Sequence, residues 1–67
     1  MEIFAKRLKQ ERLLSKLSQE QLASKIGVTH TAIGLWEQGK RCPNLEDATK
    51  LAKFFGVSLD YLSGIID

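Results

Sequence analysis

Few residues in this 67-residue chain could carry out covalent chemistry. It holds one histidine, His30, and one cysteine, Cys42, and its carboxylates are scattered. No nucleophile, base and orienting group fall together, and one His with one Cys cannot close a zinc site. The residue inventory therefore points away from an enzyme and implies neither cofactor nor metal. The remaining chemistry is recognition, concentrated in G-V-T-H-T-A-I-G-L-W-E-Q-G-K, Gly27 to Lys40. Read as a helix, this stretch sets His30, Thr31, Gly34, Leu35 and Gln38 on one side, because they differ by one, three or four residues.

That helix is poorly made for independent existence. It is about a dozen residues long, glycine flanks it on both sides, and Gly34 inside it costs roughly 1 kcal/mol relative to alanine. Its partners must therefore hold it rigid, and its use lies in the face it turns outward. A short rod of this kind fits a groove about 12 Å wide. Gly34, midway along that face, removes a side chain where a backbone or base edge could approach closely.

The elements that must position this face are helical. No stretch alternates β-branched residues with period two, so strands are not expected. A first helix is predicted from about Glu2 to Leu14, with Phe4, Leu8 and Arg12 on one face; its end is the least defined, because Lys16 stands where a glycine would make an easy stop. Ser18 caps the second, with Gln21 completing a capping-box pattern and Gly27 ending it. Thr29 caps the third, which Gly39 stops. Asn44 caps the fourth, with Asp47 at the reciprocal position, and Gly56 ends it. Ser58 caps a short fifth helix carrying Leu59, Tyr61, Leu62 and Ile65. Apolar spacing predicts a core of Phe4, Leu8, Leu17, Leu22, Ala23, Ile26, Val28, Ile33, Trp36, Leu45, Ala48, Leu51, Phe55, Val57 and Leu62. The expectation is a compact all-α five-helix bundle forming one domain over residues 1–67.

Only Val28 and Thr29 separate Gly27 from the third helix, and so tight a turn holds two helices at a steep angle, a helix-turn-helix over about residues 18–38. Charge is uneven along the chain. Eight of the ten Lys and Arg lie in residues 1–41 against four acids, while residues 42–67 carry two against four. A positive front half is consistent with a polyanion partner. No apolar leader or long apolar run is present, so neither secretion nor membrane insertion is expected; the single cysteine precludes an internal disulfide and fits a reducing, cytoplasmic setting.

L-S-Q-E-Q-L-A-S-K-I-G-V-T-H-T-A-I-G-L-W-E-Q-G-K-R-C-P, Leu17 to Pro43, resembles the Cro/phage-repressor type (Xre-type) helix-turn-helix family. L-A-K-F-F-G-V-S-L-D-Y-L, Leu51 to Leu62, is similar to that family's closing helices, so the resemblance covers nearly the whole chain. It implies a lambda-repressor-like DNA-binding domain that works as a small transcriptional regulator, in the first instance a repressor. The 29–38 helix would enter the major groove, and a two-fold dimer would bind a near-palindromic double-stranded operator. By the same resemblance, Gln19 touches a phosphate and braces the next helix. His30 and Thr31 read base edges, Leu35 occupies a further reading position, and Lys40 and Arg41 form a basic loop gripping phosphate. Arg12 and Glu37 match a buried ion pair between the first and third helices. The sequence departs from the family pattern at Gly34 and Leu35, where bulkier or polar residues are usual.

Elementary chemistry is consistent with these roles. His30 can donate to guanine N7 or O6, and the Thr31 methyl and Leu35 can pack on thymine methyl groups. The helix starts at Ser18 and Asn44 point N–H groups toward phosphates, and Thr29 and Gln38, at the two ends of the reading helix, join this positioning set. With few polar readers, DNA shape and water bridges are expected to carry part of the specificity. Phe54 should point away from the core stripe filled by Phe55. With Leu59, Tyr61, Ile65 and Ile66 it forms a predicted dimer interface. Lys6, Arg7 and Lys9 read as an exposed face of the first helix, and no small-molecule ligand is indicated. The rival reading is a protein-interaction or antitoxin module of the same fold, for which the mostly apolar reading face leaves room.

Overall fold

A computed structural model describes residues 2–64. Among the described residues there are five helices and no strand: α1 (Glu2–Leu14), α2 (Gln19–Ile26), α3 (His30–Glu37), α4 (Leu45–Phe55) and α5 (Leu59–Ser63). Local signals set their limits. Ser18, Thr29, Asn44 and Ser58 each accept a hydrogen bond from the backbone N–H three residues on. At Ser18 the box is complete, because Gln21 Oε1 also accepts from the Ser18 N–H at 2.8 Å. At Asn44 the Asp47 carboxylate instead lies 4.0 Å from Lys50 Nζ.

Each helix contributes one wholly buried aliphatic residue: Leu8, Leu22, Ile33, Leu51 and Leu62. Phe4, Ala23, Ile26, Trp36 and Ala52 complete the cluster, with Leu17, Val28, Phe55 and Val57 packed partly against it. Three core assignments need revision: Ala48, predicted as core, is only half-buried and stands outside the cluster. Leu45 continues the apolar spacing of α4 but is 73% exposed, because the core does not reach the first turn of that helix. Ala5 is buried although it is absent from the predicted core; it stands three and seven residues before Leu8 and Arg12, on the same face. A Cβ placed on Gly39 would stand 4.0 Å from the Ala5 methyl, so α1 and the end of α3 meet at two small residues.

The end of α1 is closed without glycine. Lys16 adopts φ +59°, and its N–H donates to the Leu13 carbonyl while the Leu17 N–H donates to that of Arg12. This is the reciprocal pair of bonds that closes a helix when the residue after the cap is left-handed. It delivers the Leu17 carbonyl to the guanidinium of Arg12, which donates to it from Nη1 at 2.9 Å.

Arg12 then ties α1 to α3. Its Nε donates to Glu37 Oε2 at 2.6 Å and its Nη2 to Glu37 Oε1 at 3.1 Å. From α2, Gln19 Nε2 donates to the same Glu37 Oε1 at 3.1 Å. The two charged side chains are only 10% and 3% exposed. Three helices and the α1–α2 connection thus converge on one carboxylate and one guanidinium.

Two stability measurements follow. Lys16→Gly should stabilise the fold by about 0.5–1 kcal/mol in urea unfolding, since glycine removes the Cβ strain of the left-handed conformation. Arg12→Met or Glu37→Met alone should cost about 3–5 kcal/mol, because each leaves a buried charge unpaired, and the Arg12→Met, Glu37→Met double variant should recover part of that loss. Additive losses in the double variant would refute this coupling.

Candidate nucleic-acid interface

The geometry of α2 and α3 is set in the three residues between them. Gly27 is left-handed at φ +75°, and the N–H groups of Gly27 and Val28 both close on the Ala23 carbonyl, at 2.9 and 3.0 Å. Thr29 then starts α3, its Oγ1 accepting from the Ala32 N–H at 3.1 Å. Leu22, Ala23, Ile26, Ile33 and Trp36 are buried beneath this corner. The opposite side of α3 is open: His30, Thr31 and Gln38 are exposed, while Gly34 and Leu35 are half-buried. Two neighbours account for those last two. Gln19 Oε1 would lie 3.6 Å from a Cβ at Gly34, and Leu35 lines a shallow cleft with Ala32, Trp36, Arg41 and Pro43.

The basic loop is tied to the helix it follows. Gly39, at φ +74°, lets the chain reverse so that its own N–H meets the Trp36 carbonyl at 3.2 Å. The Leu35 carbonyl accepts from the Lys40 N–H at 3.0 Å and the Arg41 N–H at 3.4 Å. Lys40 and Arg41 are exposed, so two cations sit on a backbone anchored to the last turn of α3. In the first turn of α2 the N–H groups of Gln19 and Glu20 have no intrahelical acceptor. The start of α4 at Asn44 carries two acids in its first turn, Glu46 and Asp47, against the single Glu20 of α2, so it is the more negative of the two ends.

The predicted dimer residues are arranged less simply. Phe54 is 39% exposed and meets Phe55 edge-on, with ring centres 5.1 Å apart at 75°. It lines a cleft with Lys25, Ile26, Lys50 and Lys53, beside the end of α2. Tyr61 is half-buried next to α1, with the Arg7 guanidinium 4.4 Å above its ring and Arg7 Nη1 donating to its carbonyl. Leu59 is half-buried against the core. Ile65 and Ile66 lie outside the described residues. Lys6 and Lys9 are exposed, whereas Arg7, expected on the same open face, is engaged with Tyr61; a single periodicity could not separate them. Cys42 is exposed and unbonded. Among the described residues no three His, Cys, Asp or Glu cluster as metal ligands, and no helix is long and apolar enough to cross a membrane.

Comparison with known proteins bears on what such a surface is for. The helix-turn-helix family model matches residues 8–62. Over 59 residues the chain is 46% identical to the HTH-type transcriptional activator BcrR of Enterococcus faecalis, a match covering 88% of this chain and 29% of that protein. Over 54 residues it is 48% identical to an uncharacterized HTH-type transcriptional regulator of Methanocaldococcus jannaschii, covering 81% of this chain and 82% of that one. The solution structure of the SOS-response transcriptional repressor LexA from Eubacterium rectale is similar with a TM-score of 0.85 at 27% identity, covering 90% of this chain and 64% of that chain. The chain therefore spans less than a third of the activator's length. The matched span takes in every element that builds and braces the α2–α3 corner, and the chain belongs to the Cro- and phage-repressor-type (Xre-type) helix-turn-helix family, whose members are transcriptional regulators rather than enzymes.

Proposed function

We propose that this chain binds double-stranded DNA sequence-specifically as a small transcriptional regulator, with α3 inserted in the major groove. One observation carries the reading: α3 is held at its last turn by the Arg12–Glu37–Gln19 network while His30, Thr31 and Gln38 stand exposed. In this pose His30 donates to guanine, and the Thr31 methyl and the exposed part of Leu35 meet thymine methyl groups. Gly34 leaves room for close approach. Lys40 and Arg41 supply the sequence-independent grip, together with the N–H groups at the start of α2. Ser18, Thr29, Gln38 and Asn44 position these groups on the duplex.

The functional unit is a two-fold dimer on a near-palindromic operator, its recognition helices about 34 Å apart so that they meet successive major grooves. The half-exposed Phe54 and the α5 residues Leu59 and Tyr61 form the pairing surface, and pairing would also support a small core. Occupying an operator is enough to block a promoter, so repression is the regulatory outcome proposed here. The setting is the cytoplasm, where a free cysteine stays reduced.

The test separates DNA binding from protein docking. In dilute salt the chain should bind random duplex, and Lys40→Ala with Arg41→Ala should weaken that binding and reduce the slope of log affinity against log salt by about 2, close to one per phosphate contact. Equal binding by parent and variant, or none by the parent, would remove the proposal and leave a protein-interaction module as the better reading. Sedimentation of the operator complex should give two chains per duplex. A monomer at high micromolar concentration with operator present would refute the dimer.

A further inference from the structure

The glycine inside α3 has no role in holding the fold together. Gly34 is not among the residues with positive φ, and a Cβ built there meets one atom within 4 Å, Gln19 Oε1 at 3.6 Å, an ordinary contact. Alanine would fit and would favour the helix. The fold therefore does not require glycine at this position.

The atom beside that opening is informative. Glu37 Oε1 receives a hydrogen bond from Gln19, and an ionised carboxylate only accepts, so the nitrogen of the Gln19 amide must face Glu37. The same bond turns the amide oxygen toward Gly34. Glu37 is itself fixed by Arg12 through two hydrogen bonds, so this orientation is set by a buried pair rather than by solvent. Gln19 Oε1 has no hydrogen-bond partner among the described residues and is not a buried orphan, so it is an acceptor open to solvent on the outward side of α3.

We propose that Gln19, reaching from α2 past the bare backbone of Gly34, reads a base: its side-chain oxygen accepts a hydrogen bond from the exocyclic amine of adenine or cytosine in the major groove. Those amines are the donors that the groove displays, and guanine and thymine present acceptors in their place. Gly34 is the gap through which the base edge approaches. The second N–H of the amide remains available to a phosphate, so reading and anchoring are compatible. This inference rests on the DNA-binding reading above and assigns specificity to a residue outside the recognition helix.

The experiment uses duplexes that the parent selects from a random pool, with parent, Gly34→Ala and Gln19→Met compared base pair by base pair. Gly34→Ala keeps the Gln19–Glu37 bond and so separates reading from bracing. It should melt at or above the parent temperature and lose about tenfold discrimination at one adenine or cytosine position. Gln19→Met should lose discrimination at that same position. Parental preferences retained at every base pair in Gly34→Ala would overturn the inference, as would a uniform loss across all sequences in both variants. Failure of the parent to bind any duplex would overturn the DNA reading and this inference together; binding with unchanged preferences overturns this inference alone.

Discussion

Glu37 is the carboxylate on which the geometry of the site depends. Its side chain is 3% exposed at the last turn of α3, and both of its oxygens accept from Arg12 while one also accepts from Gln19. Taking two charges out of water is costly, and a buried pair is poor evidence for net stability. Here every nitrogen of the guanidinium has an acceptor, two on Glu37 and one on the Leu17 carbonyl, so neither ion is left unsatisfied. The network supplies direction. A greasy contact between α1 and α3 could slide by a residue without great loss, whereas a bidentate fork admits one alignment.

That directionality matters because α3 cannot hold itself. Eight residues with a glycine inside fall well below the length at which isolated helices persist in water. Its stability is borrowed from Ile33 and Trp36 beneath, from the Thr29 cap at one end and from the Gly39 reversal at the other. A helix supported this way keeps its outer face free of packing duties. Its side chains can then be chosen for the partner, and even left out, as at Gly34.

The connections are part of the same construction. At Lys16 the chain reverses so that the Leu17 carbonyl lands on Arg12, and at Gly39 it reverses so that Lys40 and Arg41 hang from the Leu35 carbonyl. The first reversal supports the bracing network, and the second sets two cations at a constant offset from the reading face. In the proposed docking this would couple position along the duplex axis to the insertion of α3, since phosphate contacts orient and base contacts discriminate.

What the sequence alone determined is whatever depends on neighbours a few residues away. The caps at Ser18, Thr29, Asn44 and Ser58, the left-handed stops at Gly27, Gly39 and Gly56, and the stripe from Leu22 to Trp36 are local, because a helix end is satisfied by its own first or last turn. Family resemblance extended this to the pairing of Arg12 with Glu37, which no periodicity could reveal across 25 positions. Tertiary structure alone decided how far the core reaches and which way each bordering side chain turns. Periodicity names a face but not the extent of what covers it, so Leu45 lies exposed on a buried-looking stripe. The left-handed Lys16, the Arg7–Tyr61 stack, Phe54 beside three lysines and the oxygen of Gln19 over Gly34 each depend on where separate helices meet, and that is fixed only when five weak helices pack together.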